Sequence, residues 1–434
     1  MPLHPKERVY GDMMADNREQ VLLADRLGMT EVWIGEHQTS ISEPITDPFL
    51  FLATTMYEAK NVKFGSAVVN LSYHHPVKLA MQLAMFDQLS GGRAMVGIGP
   101  GGLISDSEIF GIDREQSYAM MVECVDIMEL LWSRDAPLEY DGKFWQISLS
   151  DFVEDDIGVG RLPKPLQNPG PPIAYAMRSP KSGASKLLAQ RDWIPISGNF
   201  VPAGFVKNQW TDYCDQREKL GKRPDPENWR AGRSILVTDT NDRAADYMAQ
   251  EEGGFRHYFH YLRTLEAKRN MMDATRQERE AFVAGQVNEA LEDQVIAGDA
   301  DTVLDKLIAY RDEVGPFGRR GERRGGAREL PLVVPARLDN IKEHEVLAEP
   351  PPSHQFRFEA LDWRFGSCGE RALPALDLVG RGCCRGGGGA LDDACAGVCG
   401  VDVLLLHCSR GALSWHSLTF ERHRWHSRHS RGRC

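Results

Sequence analysis

Nowhere does this chain carry a run of about 18 uncharged apolar residues, so no membrane-spanning helix is expected. The N-terminal stretch MPLHPKERVYGDMMADNREQ also lacks the apolar core and small-residue cleavage site of a secretory signal. A cytoplasmic location is therefore expected. Positive charge is in deficit: 51 Lys and Arg stand against 62 Asp and Glu, a formal net charge of −11. That balance gives no reason to expect a nucleic-acid or membrane partner. What is present is the composition of a globular protein, 42% hydrophobic and 26% charged over 434 residues. The length allows one large or two ordinary domains with a sizeable core.

Other scarcities are local, and they expose a seam near residue 318. Upstream of it the only cysteines are Cys124 and Cys214, both in helical surroundings; the other seven of nine lie downstream. Lysine is absent after Lys342 and methionine after Met272. Residues 319–434 carry 18 Lys and Arg against 14 Asp and Glu, whereas the preceding residues carry 33 against 48. Two different kinds of sequence are joined there, residues 1–318 and residues 319–434.

Residues 1–318 alternate strand and helix patterns. The segments 31–37, 62–70, 93–102, 171–177, 193–198 and 234–239 are short apolar runs without period-2 alternation, as in a parallel sheet covered on both faces. Helix patterns occupy 12–27, 44–60, 76–89, 118–132, 182–190 and 205–220, and residues 242–311 read as largely helical. A Pro- and Gly-rich insertion fills 135–170. Repeated βα units specify a doubly wound sheet or a barrel. The dinucleotide fingerprint G-x-G-x-x-G is missing from the end of the first strand; GIGPGG closes the third. The predicted fold class is therefore α/β, a parallel barrel of repeated βα units.

Reactive groups of such barrels sit where strands end and βα loops begin. Four strands end unusually here: Glu36-His37; Asn70 followed by Ser72-Tyr73-His74-His75; Gly99-Pro100-Gly101-Gly102; and Met177-Arg178-Ser179. Each has a plain alternative. A strand-end histidine commonly just satisfies hydrogen bonds, and Tyr73-His74-His75-Pro76 suits a helix-entry turn. Adjacent histidines diverge, and with no third ligand in sight no metal is expected. Gly99 and Gly101 lack Cβ atoms and would let a planar ligand approach the backbone. Arg178, Ser179, Lys181, Ser182 and Gly183 precede a helix and would suit a phosphate, or form an ordinary N-cap.

Taken together, EVWIGEH, then VVNLSYHHPVKLAMQLAMFDQLSGGRAMVGIGPGG, then EIFG, resembles the bacterial luciferase-like flavin monooxygenases over about residues 1–318. Within them, SEPITDPFLFLA and GIGPGG look closest to limonene and diketocamphane monooxygenases. The resemblance implies a homodimeric (β/α)8 TIM barrel, with a helical insertion before the last strand, that takes reduced FMN from a separate NAD(P)H-dependent flavin reductase. Reduced flavin and dioxygen give a C4a-peroxyflavin, which oxygenates a small, apolar organic substrate such as a terpene, ketone or aldehyde. By the same resemblance His37 manages protons near the reacting oxygen and Glu36 stands near the flavin. Asn70 and Leu71 pack on its ring, and residues 178–183 hold its phosphate. Deazaflavin-dependent hydride-transfer enzymes share the fold and stay open as an alternative, as does a non-catalytic flavin-binding barrel.

Two departures accompany the likeness. Gly99-Pro100 replaces the luciferases' Cys-Arg pair, so the phosphate charge falls to Arg178 or Lys181 and light emission is not expected. The family's apolar first strand is largely missing ahead of MPLHP, as though Met1 were an internal start. An eighth strand is expected straight after residue 318, where the chain instead reads RRGERRGGARELPLVVPARLDN. RGCCRGGGGA and HRWHSRHSRGRC then resemble out-of-frame translation of a GC-rich gene. The functional alternative is a basic Cys/His-rich domain built around Cys395 and Cys399, without a second pair at finger spacing.

Overall fold

The computed structural model describes residues 3–180 and 183–317, and beyond them only the backbone of an antiparallel pair, His407–Ser409 with Ala412–Ser414. The chain divides into two compact units; every described residue belongs to the first, and the second, residues 340–401 and 419–434, lies outside them. The expected eighth strand and the reading of the tail also lie outside the described residues.

The elements follow the hydrophobic runs and their Gly and Pro punctuation. Helix α1 (Tyr10–Arg26) is followed by Gly28 at φ 77°, a backbone conformation glycine adopts without strain. Strand β1 (Glu31–Ile34) leads to α2 (Pro48–Ala53), which is shorter than the 44–60 pattern. Its start is set by Asp47, whose carboxylate accepts from the Phe49 and Leu50 amides, so Pro48 rather than Pro44 opens the first turn. The 62–70 run divides into β2 (Lys63–Ser66) and β3 (Val69–Asn70). Next come α3 (Pro76–Ser90), β4 (Ala94–Gly99), α4 (Ile104–Ile109) and α5 (Ser117–Ser133). The Pro/Gly-rich insertion contains a hairpin, β5 (Leu138–Asp141) with β6 (Gln146–Leu149). Then β7 (Ile173–Met177), α6 (Ala184–Arg191), β8 (Ile194–Ser197), α7 (Ala203–Lys219), β9 (Arg230–Ala231) and β10 (Ser234–Val237) restore the alternation.

Within 242–311 three helices, α8 (Asn241–Ala249), α9 (Gly254–Asn270) and α10 (Arg276–Gln294), precede a strand absent from the sequence reading, β11 (Val295–Gly298), and then α11 (Ala300–Val314). The four residues VIAG continue an apolar helical rhythm, and only pairing with β10 supplies their ladder.

The main sheet is parallel in the order β1-β2-β4-β7-β8-β9, with β3 also on β4. It curls in the manner of a TIM barrel, and one ion pair measures the curl. Arg230 Nη2 lies 2.7 Å from Glu31 Oε1, joining the first and last strands of that order. Laid flat at about 4.8 Å per strand, six strands would hold those backbones roughly 24 Å apart. Inside the curl sit Met95, Ala174, Ile194 and Ile196, packed against Trp33. A Cβ on Gly65 would stand 2.3 Å from the Trp33 ring, and one on Gly97 only 1.8 Å from the Ser66 carbonyl oxygen. The glycines of KFGS and MVGIG therefore make room for an indole and a neighbouring strand.

The DQLSGGR motif is structural as well. Gly91 (φ 69°) ends α3, and buried Asp87 accepts from the Gln167 amide and side chain. Arg93 donates to the carbonyls of Met56, Ala59, Val62 and Ser90.

Candidate active site

Just past the C-terminal end of β1, Glu36 is almost fully buried. One carboxylate oxygen accepts from the Asn70 amide (2.7 Å); the other accepts from Gln38 Nε2 (2.8 Å) and faces His74 Nε2 (2.7 Å). Asn70 Nδ2 returns a bond to the Glu36 carbonyl (2.9 Å). Glu36 is thus spent on joining the ends of β1 and β3. Burial would lower the His74 pKa, but the bond to Glu36 and then its charge outweigh it, and the pKa is raised.

His37 keeps some exposure, 26% of its side chain. Its Nδ1 lies 3.2 Å from Asp106 Oδ2 and its Nε2 3.5 Å from Glu43 Oε2. The other Asp106 oxygen accepts from the Gln38 amide (3.1 Å), the Thr39 amide (2.8 Å) and Thr39 Oγ1 (2.6 Å). Burial opposes a charge on the imidazole, yet the two carboxylates prevail and raise its pKa. Burial likewise opposes ionisation of Asp106, but bonds from His37 and Thr39 hold its carboxyl below the ordinary value.

The β4 terminus completes one side of the mouth. Ser72 Oγ donates to the Pro100 carbonyl, and Tyr73 stacks on Phe110 with centroids 5.0 Å apart. The Tyr73 hydroxyl meets Ser107 Oγ at 3.0 Å. The space beside the glycines is already filled by protein. A Cβ on Gly99 would strike Val68 at 2.6 Å, and one on Gly101, at φ 90°, would strike the Tyr73 hydroxyl at 2.3 Å. Leu71 is wholly buried in the hydrophobic core, so its side chain has no face to offer a ligand.

On the neighbouring strand, at the end of β7, the Arg178 guanidinium comes beside Gly102, where an added Cβ would lie 2.9 Å from its Nη1. It stands over the Phe200 ring at 5.6 Å. Burial lowers its pKa first, and the like charge of Arg269 lowers it further. The Ser179 carbonyl accepts from Gln209 Nε2 (3.0 Å). Gly183 precedes α6, with open space where a Cβ would be. Lys181 and Ser182 lie outside the described residues.

The structure therefore gathers Glu36, His37, Asn70, Gly99, Gly101 and Arg178 around one mouth. Three residues escaped the sequence reading: Asp106, Glu43 and Tyr261, the last donating to Glu43 from α9. No local pattern distinguishes them from solvated surface charge; Asp106 sits in a short polar helix yet is 1% exposed. Among the described residues no group of three or more His, Cys, Asp or Glu could hold a metal ion, and no helix is long and apolar enough to cross a membrane.

A curled parallel sheet with protic and cationic groups collected past its strand C-termini defines a barrel enzyme acting on a small molecule. The chain belongs to the luciferase-like monooxygenase family, whose pattern matches residues 2–315. It is 27% identical to the 4-hydroxyprotoasukamycin monooxygenase of Streptomyces nodosus subsp. asukaensis, over 73% of this chain and 82% of that protein. Among solved structures it resembles the oxygenating constituent of 3,6-diketocamphane monooxygenase from Pseudomonas putida, a type II Baeyer-Villiger monooxygenase in complex with FMN. That likeness has a TM-score of 0.64 and 26% identity over 73% of this chain and 88% of the other. A putative coenzyme F420-dependent oxidoreductase of Mycobacterium tuberculosis is 26% identical over 68% of this chain and 87% of its own length.

Proposed function

We propose that the protein is the oxygenating component of a flavin-dependent monooxygenase, receiving reduced FMN from a separate reductase and inserting one oxygen atom from dioxygen into a small apolar substrate. The observation that carries this reading is His37, held at the mouth between Asp106 and Glu43 and still partly exposed.

The residues at the end of β7 fit a flavin phosphate. Arg178 supplies a cation at the end of β7, a few residues ahead of α6. Bound there, reduced flavin supplies the electrons that activate dioxygen. The protein's own part is proton management and exclusion of water. His37 holds a proton at Nε2, the nitrogen away from Asp106, and can return it to an oxygen atom at the mouth. Asp106 keeps the ring turned by holding Nδ1, and Glu36 acts as a positioning residue that fixes the loop carrying His37 against Asn70. Gly99 and Gly101 leave room for Val68 and Tyr73 to pack against the end of β4.

Anaerobic titration with reduced FMN and with reduced deazaflavin, followed by oxygen, tests the proposal. Tight FMN binding with oxygen consumption is the expected result. Preference for deazaflavin without oxygen uptake would favour the hydride-transfer reading, which the F420-type relative supports.

A further inference from the structure

Tyr261 belongs to α9, within the helical insertion, far in sequence from the strand ends. Its hydroxyl donates to Glu43 Oε2 at 2.8 Å and meets Ser40 Oγ at 2.8 Å. One hydroxyl proton cannot serve both partners, so Ser40 donates to Tyr261. The Glu43 amide in turn lies 3.3 Å from Ser40 Oγ. The result is a closed set of contacts around the carboxylate that faces His37 Nε2. Asp106 faces the other ring nitrogen from α4. A neutral imidazole has one N–H and would point a lone pair at one of these oxygens; the imidazolium presents an N–H to both, bonding to Asp106 and pairing by charge with Glu43.

The geometry points to Tyr261 as a positioning residue: through Glu43 it seats the His37 ring so that both nitrogens keep their protons, making the insertion helix part of the proton-handling device. Its consequence for oxygenation rests on the proposed function, whereas the seating of the ring does not. The groups facing His37 are Glu43, Asp106 and, behind Glu43, Tyr261; Glu36 beside it in sequence is turned to His74 and Asn70. Burial and the Glu43 charge both raise the Tyr261 pKa, so its hydroxyl stays a donor at neutral pH.

The test is a titration of histidine ring resonances in the isotopically labelled full chain without flavin, with His37→Asn assigning the signal. Wild-type His37 is expected to titrate above 6.5, its ordinary value. Tyr261→Phe keeps the ring but loses the hydroxyl, and should move that midpoint to lower pH. Glu43→Gln should move it the same way, and the double variant no further than Glu43→Gln alone, because the two act in series. An unchanged midpoint in Tyr261→Phe beside a lowered one in Glu43→Gln would overturn the role of Tyr261. Should the phenylalanine variant not fold, Glu43→Gln carries the test, and a wild-type midpoint there overturns the seating. Where the protein oxygenates, the pH profile of product per reduced flavin should follow the same displacement in Tyr261→Phe; a fixed profile would refute the link to chemistry while leaving the oxygenase reading intact.

Discussion

Asp106→Asn isolates what the buried carboxylate does. In the wild type it accepts four hydrogen bonds: two from backbone amides, one from Thr39 Oγ1 and one from His37 Nδ1. Asparagine preserves the shape and can keep Oδ1 facing the Gln38 and Thr39 amides and the Thr39 hydroxyl. Its amide nitrogen must then face His37, where a donor meets a donor. The change removes one charge-assisted bond, about 1.5–3 kcal/mol. Asp106→Ala also takes the acceptor from two part-buried amides and the Thr39 hydroxyl, so it should be the more damaging variant.

The pH dependence separates these effects. Asp106 has a folded pKa below its ordinary 3.8, so its contribution is present above about that pH and is lost as pH falls through the folded value. His37 has a folded pKa above its ordinary 6.5; its contribution is complete below that pH and is lost as pH rises through the folded value. The pair therefore stabilises most between these two ordinary values. Urea denaturation of wild type and Asp106→Asn at a series of pH values should show the difference between them largest in that window and shrinking on both sides. A constant difference across pH would refute the assignment of a charged His37–Asp106 pair.

His37→Ala should still bind reduced FMN yet form less product per flavin oxidised and release more hydrogen peroxide, since a positioned imidazole contributes typically 10²–10⁴-fold to proton transfer; normal coupling would end its catalytic assignment. Arg178→Ala should weaken FMN affinity on the order of 10- to 100-fold, the loss of one charge-assisted contact, measured by fluorescence titration; unchanged affinity would move the phosphate elsewhere. Gly65→Ala, which drives a Cβ to 2.3 Å from the Trp33 ring, should cost about 1–3 kcal/mol or more, read as a lowered urea midpoint. Combining it with Trp33→Leu should recover part of that loss, and strict additivity would argue against the contact.

Much of the order of strands and helices was legible in the sequence, because most elements are announced within a few residues by an apolar run, a proline at a first turn or a glycine past an end. So was the place to look for chemistry, since a parallel βα repeat puts its polar residues where strands stop. The sequence by itself did not show what each of those residues touches. Glu36 and His37 are neighbours in the chain, but one is consumed in joining β1 to β3 and the other faces the mouth. Leu71 follows Asn70 and vanishes into the core. The glycines of the β4 end have nearby causes, Val68 and Tyr73. β11 exists as a strand because β10 lies beside it. The partners that define the site come from positions 69 and 218 residues apart, Asp106 with His37 and Tyr261 with Glu43, and the pair that bridges the outer strands of the curl from positions 199 apart. Local propensity and periodicity reach only a turn or two along the chain. A hydrogen bond needs its partner within about 3 Å in space, and only the folded curl of the sheet brings such distant residues that close.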